Sequence, residues 1–259
     1  MEEAIFIKNI NDISSVPDNY RRIYFGEEFC ENKIPSLKKF KDAYDYTYKN
    51  NKYLTIVFPY LTDKGLSNVK KIIDNLEILS PGFEIVANDW GTIYFIKEKY
   101  PEANVIVGRL LNKIKRDPRI KTAEDALPKE IYDLYKCSNL LTKVSQNLLS
   151  KLNIKNIEFD CPMHGVRLKK SKFNYSVHYP FGYITTTRLC INNKLTYSNG
   201  NDYACNEQCC QYTALEYKNK SFPCRVFQKG NTVFYYNNMI SKEQLAKMGF
   251  KRIISHREL

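Results

Sequence analysis

The sequence lacks a long apolar run. The longest, Tyr53 to Leu61, is interrupted by Pro59 and falls far short of the roughly 18 residues that a membrane helix needs, so no membrane span is expected. The amino terminus opens on Glu2 and Glu3 instead of a basic stretch followed by an apolar one, which predicts no secretory leader and a cytoplasmic location. No GxGxxG or GxxxxGK motif follows a candidate strand, and this weakens nucleotide-binding readings. GxSxG and HExxH are missing too, which argues against the hydrolases that use them. Acidic residues are outnumbered, 28 against 40 Lys and Arg, for a formal charge of +12. Such a balance permits contact with nucleic acid, a polyanionic ligand or an acidic partner without choosing among them.

What is present is a chain of 259 residues, 43% of them hydrophobic, enough to bury a large core in one domain. Short apolar runs alternate with helical stretches, the pattern of parallel strands joined by helical crossovers. Candidate strands are Arg22 to Phe25, Tyr53 to Phe58, Gly82 to Ala87, Asn104 to Val107, Asn156 to Phe159 and Tyr175 to His178. Helical spacing falls on Ile34 to Asn50, Lys64 to Leu79, Thr92 to Lys99 and Lys129 to Leu152. A count of six strands predicts an α/β fold of the incomplete (β/α) TIM-like barrel type over residues 1–180. Residues 181–259 read as a loop-rich, cysteine-bearing segment with a small α+β tail packed on that barrel. In the tail, Ser221 to Gln228 and Thr232 to Tyr236 read as strands and Ser241 to Met248 as a helix with a Ser cap.

Eight cysteines are many for a cytoplasmic chain, where thiols stay reduced, so a metal or cluster is the first reading and packing as small buried hydrophobes the second. Packing is the reading kept for Cys137 and favoured for Cys224. Cys190, Cys205 and Cys209 have the spacing of a loop wrapped on an inorganic centre, and one remote thiolate completes four. Cys30, just after the first candidate strand, is the best placed for that role, and Cys210 competes with Cys209. Only one close pair exists where structural zinc commonly uses two, so the pattern leans towards an iron-sulfur cluster, with zinc still open. Cys161 and His164 form a C-x-x-H fragment that suits zinc weakly.

Several pieces together resemble the peptidase U-32 family, most closely its short, UbiV-like branch of anaerobic ubiquinone-biosynthesis proteins. They are Tyr24-Phe25-Gly26-Glu27-Glu28-Phe29-Cys30, Ala87-Asn88-Asp89-Trp90-Gly91, Gly108-Arg109-Leu110-Leu111-Asn112, and His178 followed by Cys190, Cys205 and Cys209. The resemblance implies an incomplete barrel carrying an oxygen-sensitive 4Fe-4S cluster on Cys30, Cys190, Cys205 and Cys209. It also implies oxygen-independent hydroxylation, or support of it, on a small molecule or RNA, and a heterodimer with a larger homologous member. Asn88, Asp89, Arg109, Asn112 and His178 would then surround a cavity beside the cluster, with Arg109 holding a carboxylate by two parallel hydrogen bonds. The plainer reading has Asp89 capping a helix, Arg109 ion-paired at the rim and His178 structural. Lys113 to Arg119 and Arg167 to Lys172 are candidate basic patches for RNA, or solvated faces. Two other classes stay open: a non-catalytic, partner-binding subunit with a structural metal, and a peptidase using Cys161 with His164 or His178.

Overall fold

In parallel strands covered on both faces, successive side chains enter two different apolar environments, so the strands read as unbroken hydrophobic runs. LTIVF and VIV are such runs, and both are strands. A computed structural model gives the structure of residues 1–168, 170–187 and 214–257. The strands are β1 (Glu2–Ile7), β2 (Arg22–Gly26), β3 (Tyr53–Phe58), β4 (Glu84–Ala87), β5 (Val105–Val107), β6 (Asn156–Phe159), β7 (Asn174–Tyr179), β8 (Phe181–Thr186), β9 (Leu215–Tyr217), β10 (Val226–Lys229), β11 (Thr232–Tyr236) and β12 (Arg252–His256). The helices are α1 (Leu37–Lys49), α2 (Asp63–Ile73), α3 (Trp90–Lys99), α4 (Lys129–Tyr135), α5 (Lys143–Lys151) and α6 (Lys242–Met248).

The fold is an α/β barrel of TIM type. Its eight parallel strands close in the order β1-β12-β7-β6-β5-β4-β3-β2. The expected gap is absent because β1 and β12, unassigned in the sequence, pair with each other from Glu2↔Arg252 to Phe6↔His256. What is incomplete is the helical coat, since the β1–β2 and β6–β7 connections carry no α-helix. Residues 181–187 and 214–236 build a four-stranded antiparallel sheet, β8-β11-β10-β9, inserted between the last two barrel strands. The C-terminal segment is thus part of the barrel wall as well as an addition to it. Among the described residues, no helix is long and apolar enough to cross a membrane.

The single helix expected over Lys129 to Leu152 is two helices flanking a 3-10 turn at Asn139–Leu141. Ser138 Oγ accepts from Leu140 N, and Thr142 Oγ1 accepts from Ser145 N, so local side-chain bonds end one helix and start the next. Leu134 and Val144, apolar residues of that expected helix, are exposed. The strand expected from Ser221 is confined to β10, whereas the Ser241 cap is present as a full capping box.

Inside the barrel, Ala4, Tyr24, Val57, Val86, Ile106 and Ile254 form an apolar middle layer. Below it lies an ionic layer. Arg22 donates to Glu2 at 2.8 Å, and Arg252 donates to Glu84 at 2.7 and 3.0 Å and to Glu2 at 2.7 Å. Outward neighbours such as Ile23, Phe25, Ile56 and Val107 pack in the main core. Gly26 ends β2 with φ 144, and a Cβ there would lie 2.3 Å from the Val57 carbonyl oxygen. Gly26→Ala is expected to cost more than about 2 kcal/mol in urea unfolding, and a cost under about 0.5 would show that the backbone has room to spare.

Candidate functional site

Parallel barrels gather polar residues where their strands end, because those ends open into loops. Here the C-terminal ends carry Glu28, Asn88, Arg109, Glu158, Asp160, His178 and His256. Arg109 is 1% exposed and is gripped from three sides. Its Nε and Nη2 donate to the two Glu28 oxygens at 2.7 Å each, and its Nη1 donates to Asp160 at 3.0 Å and to the Phe181 carbonyl at 3.1 Å. Burial opposes the charge, but Glu28 and Asp160 outweigh it and hold the guanidinium protonated. The paired fork read as a carboxylate binder therefore grips a carboxylate of the protein itself. Arg116 also donates to Asp160 and stacks 4.3 Å from the Tyr183 ring centroid, clamping the small sheet over the barrel mouth.

Asn88 is fully buried; its Nδ2 donates to the Phe58 carbonyl and its Oδ1 accepts from Leu110 N, both at 3.0 Å. It straps the ends of β3, β4 and β5 together. Gly108 permits this approach, since a Cβ there would lie 2.2 Å from Asn88 Oδ1. Asp89 accepts from Thr92 N at 3.1 Å, the helix-capping role foreseen as its plainer reading. His178 does enter the buried cluster. Its Nε2 lies 3.0 Å from Glu158 Oε2, and its Nδ1 lies 2.8 Å from His256 Nε2. Burial, reinforced by Arg109, drives the His178 pKa down to about 3, while burial, helped by the Glu84 charge, lifts Glu158 to about 8 against the pull of Tyr24, Arg252 and Arg109.

Glu28, Glu158 and His178 bring donor atoms within 4.8 Å of one another. Arg109 already occupies both Glu28 oxygens and His178 is bonded on both ring nitrogens, so we assign the group no cation. His256 and Glu158 were not singled out in the sequence. The signals were present: a carboxylate inside the apolar run of β6, and one of only three histidines in the chain.

Of the four expected sulfur ligands, Cys30 is described, and Cys190, Cys205 and Cys209 lie outside the described residues, as does Cys210. Cys30 lines a cavity of about 140 Å³ with Phe29, Glu31, Tyr60, Thr187 and Asn231. Asn231 Nδ2 donates to the Phe29 carbonyl at 2.8 Å and to the Thr187 carbonyl at 2.6 Å, fixing the end of β8 beside Cys30. A second cavity of about 20 Å³, room for one water, is lined by Lys8, Glu27, Glu28, Arg109, Phe181 and His256 among others.

The remaining candidates are placed elsewhere. Cys161 is buried, its thiol accepts from Asn237 Nδ2 at 3.2 Å, and burial pushes its pKa up to about 12. A thiol held protonated in this way is a poor nucleophile or ligand. His164 points to the Tyr135 carbonyl at 3.3 Å, not to Cys161. Cys137 is half-buried at the end of α4, bonded to Asp133 O, and Cys224 is half-buried with its pKa raised to about 11 by burial. In the basic run Lys113 to Arg119, Lys113 bonds Tyr60 and the Leu110 carbonyl, Arg116 is buried on Asp160, and Arg119 pairs with Asp117. Much of that run serves the fold.

The chain matches no family model and no curated protein. Among solved structures it is similar to a glycoside hydrolase family 18 N-acetylglucosaminidase from Paenibacillus barengoltzii, at 9% identity and a TM-score of 0.33 over 100% of this chain and 95% of that one. A likeness of that size says nothing about chemistry.

Proposed function

We propose that this protein is an iron-sulfur protein of the peptidase U-32 type, in which Cys30, Cys190, Cys205 and Cys209 hold a 4Fe-4S cluster at the barrel mouth. In this role it acts in, or supports, oxygen-independent hydroxylation or a related redox modification of a small molecule or RNA. The observation that carries the reading is the placement of Cys30. It shares a cavity with Thr187, and Cys190 is three residues further on, within about 10 Å of extended chain. The strands on either side of residues 188–213 have their near ends at the same end of the sheet: Thr186 pairs with Thr232 and Leu215 with Gln228, on either side of the β10–β11 hairpin. β8 and β9 are three strand spacings apart, about 14 Å, and it is the β8 end that shares the cavity with Cys30.

The cluster, when bound, supplies electron transfer. The chain's own residues hold Arg109 as a fixed positive charge and offer His256 to the small cavity. Anaerobically purified protein is expected to be brown, with about four iron and four sulfide per chain, and Cys30→Ala to lose most of both. A colourless protein with stoichiometric zinc overturns the reading.

One observation favours a second role within it. Arg109 is already paired with Glu28, and the cavity beside it holds about 20 Å³. A site so filled suits a supporting subunit that works with a larger homologous partner. Turnover by the isolated chain would exclude that role.

A further inference from the structure

Glu158, His178 and His256 stand on β6, β7 and β12, three neighbouring strands of the barrel wall, and all three side chains enter the barrel. They form one continuous chain: Glu158 Oε2 to His178 Nε2 at 3.0 Å, then His178 Nδ1 to His256 Nε2 at 2.8 Å, with the ring centroids 5.1 Å apart. Glu158 and His178 are completely buried. His256 is half-buried, stacks on Phe6 at 5.1 Å and lines the small cavity with Lys8, Glu27 and Arg109. Its Nδ1 lies across the ring from the nitrogen that faces His178. Glu158 Oε1 has no hydrogen-bond partner of normal geometry among the described residues, and the Tyr24 hydroxyl is the side-chain donor that faces this carboxyl and favours its anion.

We propose that Glu158, His178 and His256 form a proton relay from the middle of the barrel to the mouth, and that His256 Nδ1 exchanges a proton with an oxygen or nitrogen of a ligand in the small cavity. This goes beyond the iron-sulfur reading and does not rest on it.

The chain has two hydrogen-bond polarities. In the first, Glu158 carries a proton on Oε2 and donates it to His178 Nε2; His178 Nδ1–H donates to His256 Nε2, and His256 Nδ1 is protonated. In the second, Glu158 is ionised, His178 is protonated on Nε2 and His256 on Nε2, leaving His256 Nδ1 bare. Passing from first to second moves one proton from His256 Nδ1 to the ligand, one from His178 Nδ1 to His256 Nε2, and one from Glu158 to His178 Nε2. One proton leaves, one negative charge appears on Glu158, and no imidazolium is formed.

The surroundings fit this cycle. Glu158 faces Tyr24, Arg252, Arg109 and Glu84, so its anion meets two positive charges and one negative one. His178 faces Arg109, Glu28 and Asp160, and His256 faces His178, Arg109 and Lys8. Burial holds both imidazoles neutral and lifts Glu158 to about 8, so the first polarity is the resting one at neutral pH.

The test is ¹⁵N-histidine labelling of the whole chain, reading each ring's tautomer from long-range ¹H–¹⁵N spectra between pH 6 and 9.5. The chain has three histidines, and His164, whose Nε2 faces the Tyr135 carbonyl and which stays neutral with a pKa near 4, serves as the control. His178 and His256 are expected to swap together from Nδ1–H to Nε2–H with a shared midpoint near 8, and Glu158→Gln to abolish the swap. Fixed tautomers, separate imidazolium titrations or a swap that survives Glu158→Gln overturn the relay, and the wild-type titration alone suffices if the variant does not fold. Iron content plays no part in this readout, so loss of the cluster reading and loss of the relay are distinguishable.

Discussion

Arg109→Met is expected to lower the unfolding free energy by about 3–5 kcal/mol, because it leaves Glu28 and Asp160 as buried carboxylates without their shared partner. Arg109→Lys should recover only part of that loss. A single ammonium cannot bridge both Glu28 oxygens while reaching Asp160 and the Phe181 carbonyl, as the planar guanidinium does. The double variant Glu28→Gln, Arg109→Met should lie closer to wild type than the single one, since it removes one of the stranded charges. Urea unfolding of the four proteins measures this. A cost below about 1 kcal/mol for Arg109→Met would mean that water reaches the cluster and screens it.

Stability is expected to peak near pH 6.5 and fall on both sides. His164 and His178 have folded pKa values depressed to about 4 and about 3, so the unfolded chain takes up protons that the folded chain refuses once the pH drops below about 6.5. Their contribution is full above that pH and lost on acidification. Glu158 behaves oppositely: raised to about 8, it binds a proton in the folded state that the unfolded chain releases near pH 4.5. Its contribution is present below about pH 4.5 and lost as the pH rises to about 8. Between pH 6.5 and 8 Glu158 accounts for a loss of about 2 kcal/mol at 1.36 kcal/mol per unit, and Lys8, whose ammonium burial lowers to about 8, starts to offset that loss at the top of the range. Between pH 6.5 and 4.5 the two histidines outweigh Glu158, a net loss of about 3 kcal/mol, to which the depressed His256 adds. Unfolding midpoints in urea from pH 4.5 to 8.5 check the curve, and Glu158→Gln should flatten its alkaline limb. An alkaline limb already flat in wild type would place Glu158 as an ordinary carboxylate.

The central strands were readable because β3, β4 and β5 are dominated by apolar residues on both faces, with Thr55 and Glu84 the polar exceptions near their starts. The first and last barrel strands were not, and the reason is specific. β12 reads Arg-Ile-Ile-Ser-His because its inward positions, 252 and 256, carry a charge and an imidazole. Those groups are neutralised only by Glu84, Glu2 and His178 from distant parts of the chain. The same holds for Arg109: its carboxylate-binding chemistry was legible, but its partner, Glu28, is 81 residues away and recognisable only once the barrel brings them together. Asp89 needed no such help, since a cap is a local contact.

The closing seam also governs how the chain must fold. Arg252 and Glu2 are 250 positions apart, and uniting such distant points in a flexible chain costs about 5 kcal/mol of loop entropy before any reward from pairing. Local strand-helix-strand units meet no comparable barrier, so they assemble early and the seam last. Before it shuts, β1 and the strand at the other edge present unpaired backbone, the feature through which open sheets pair with other chains.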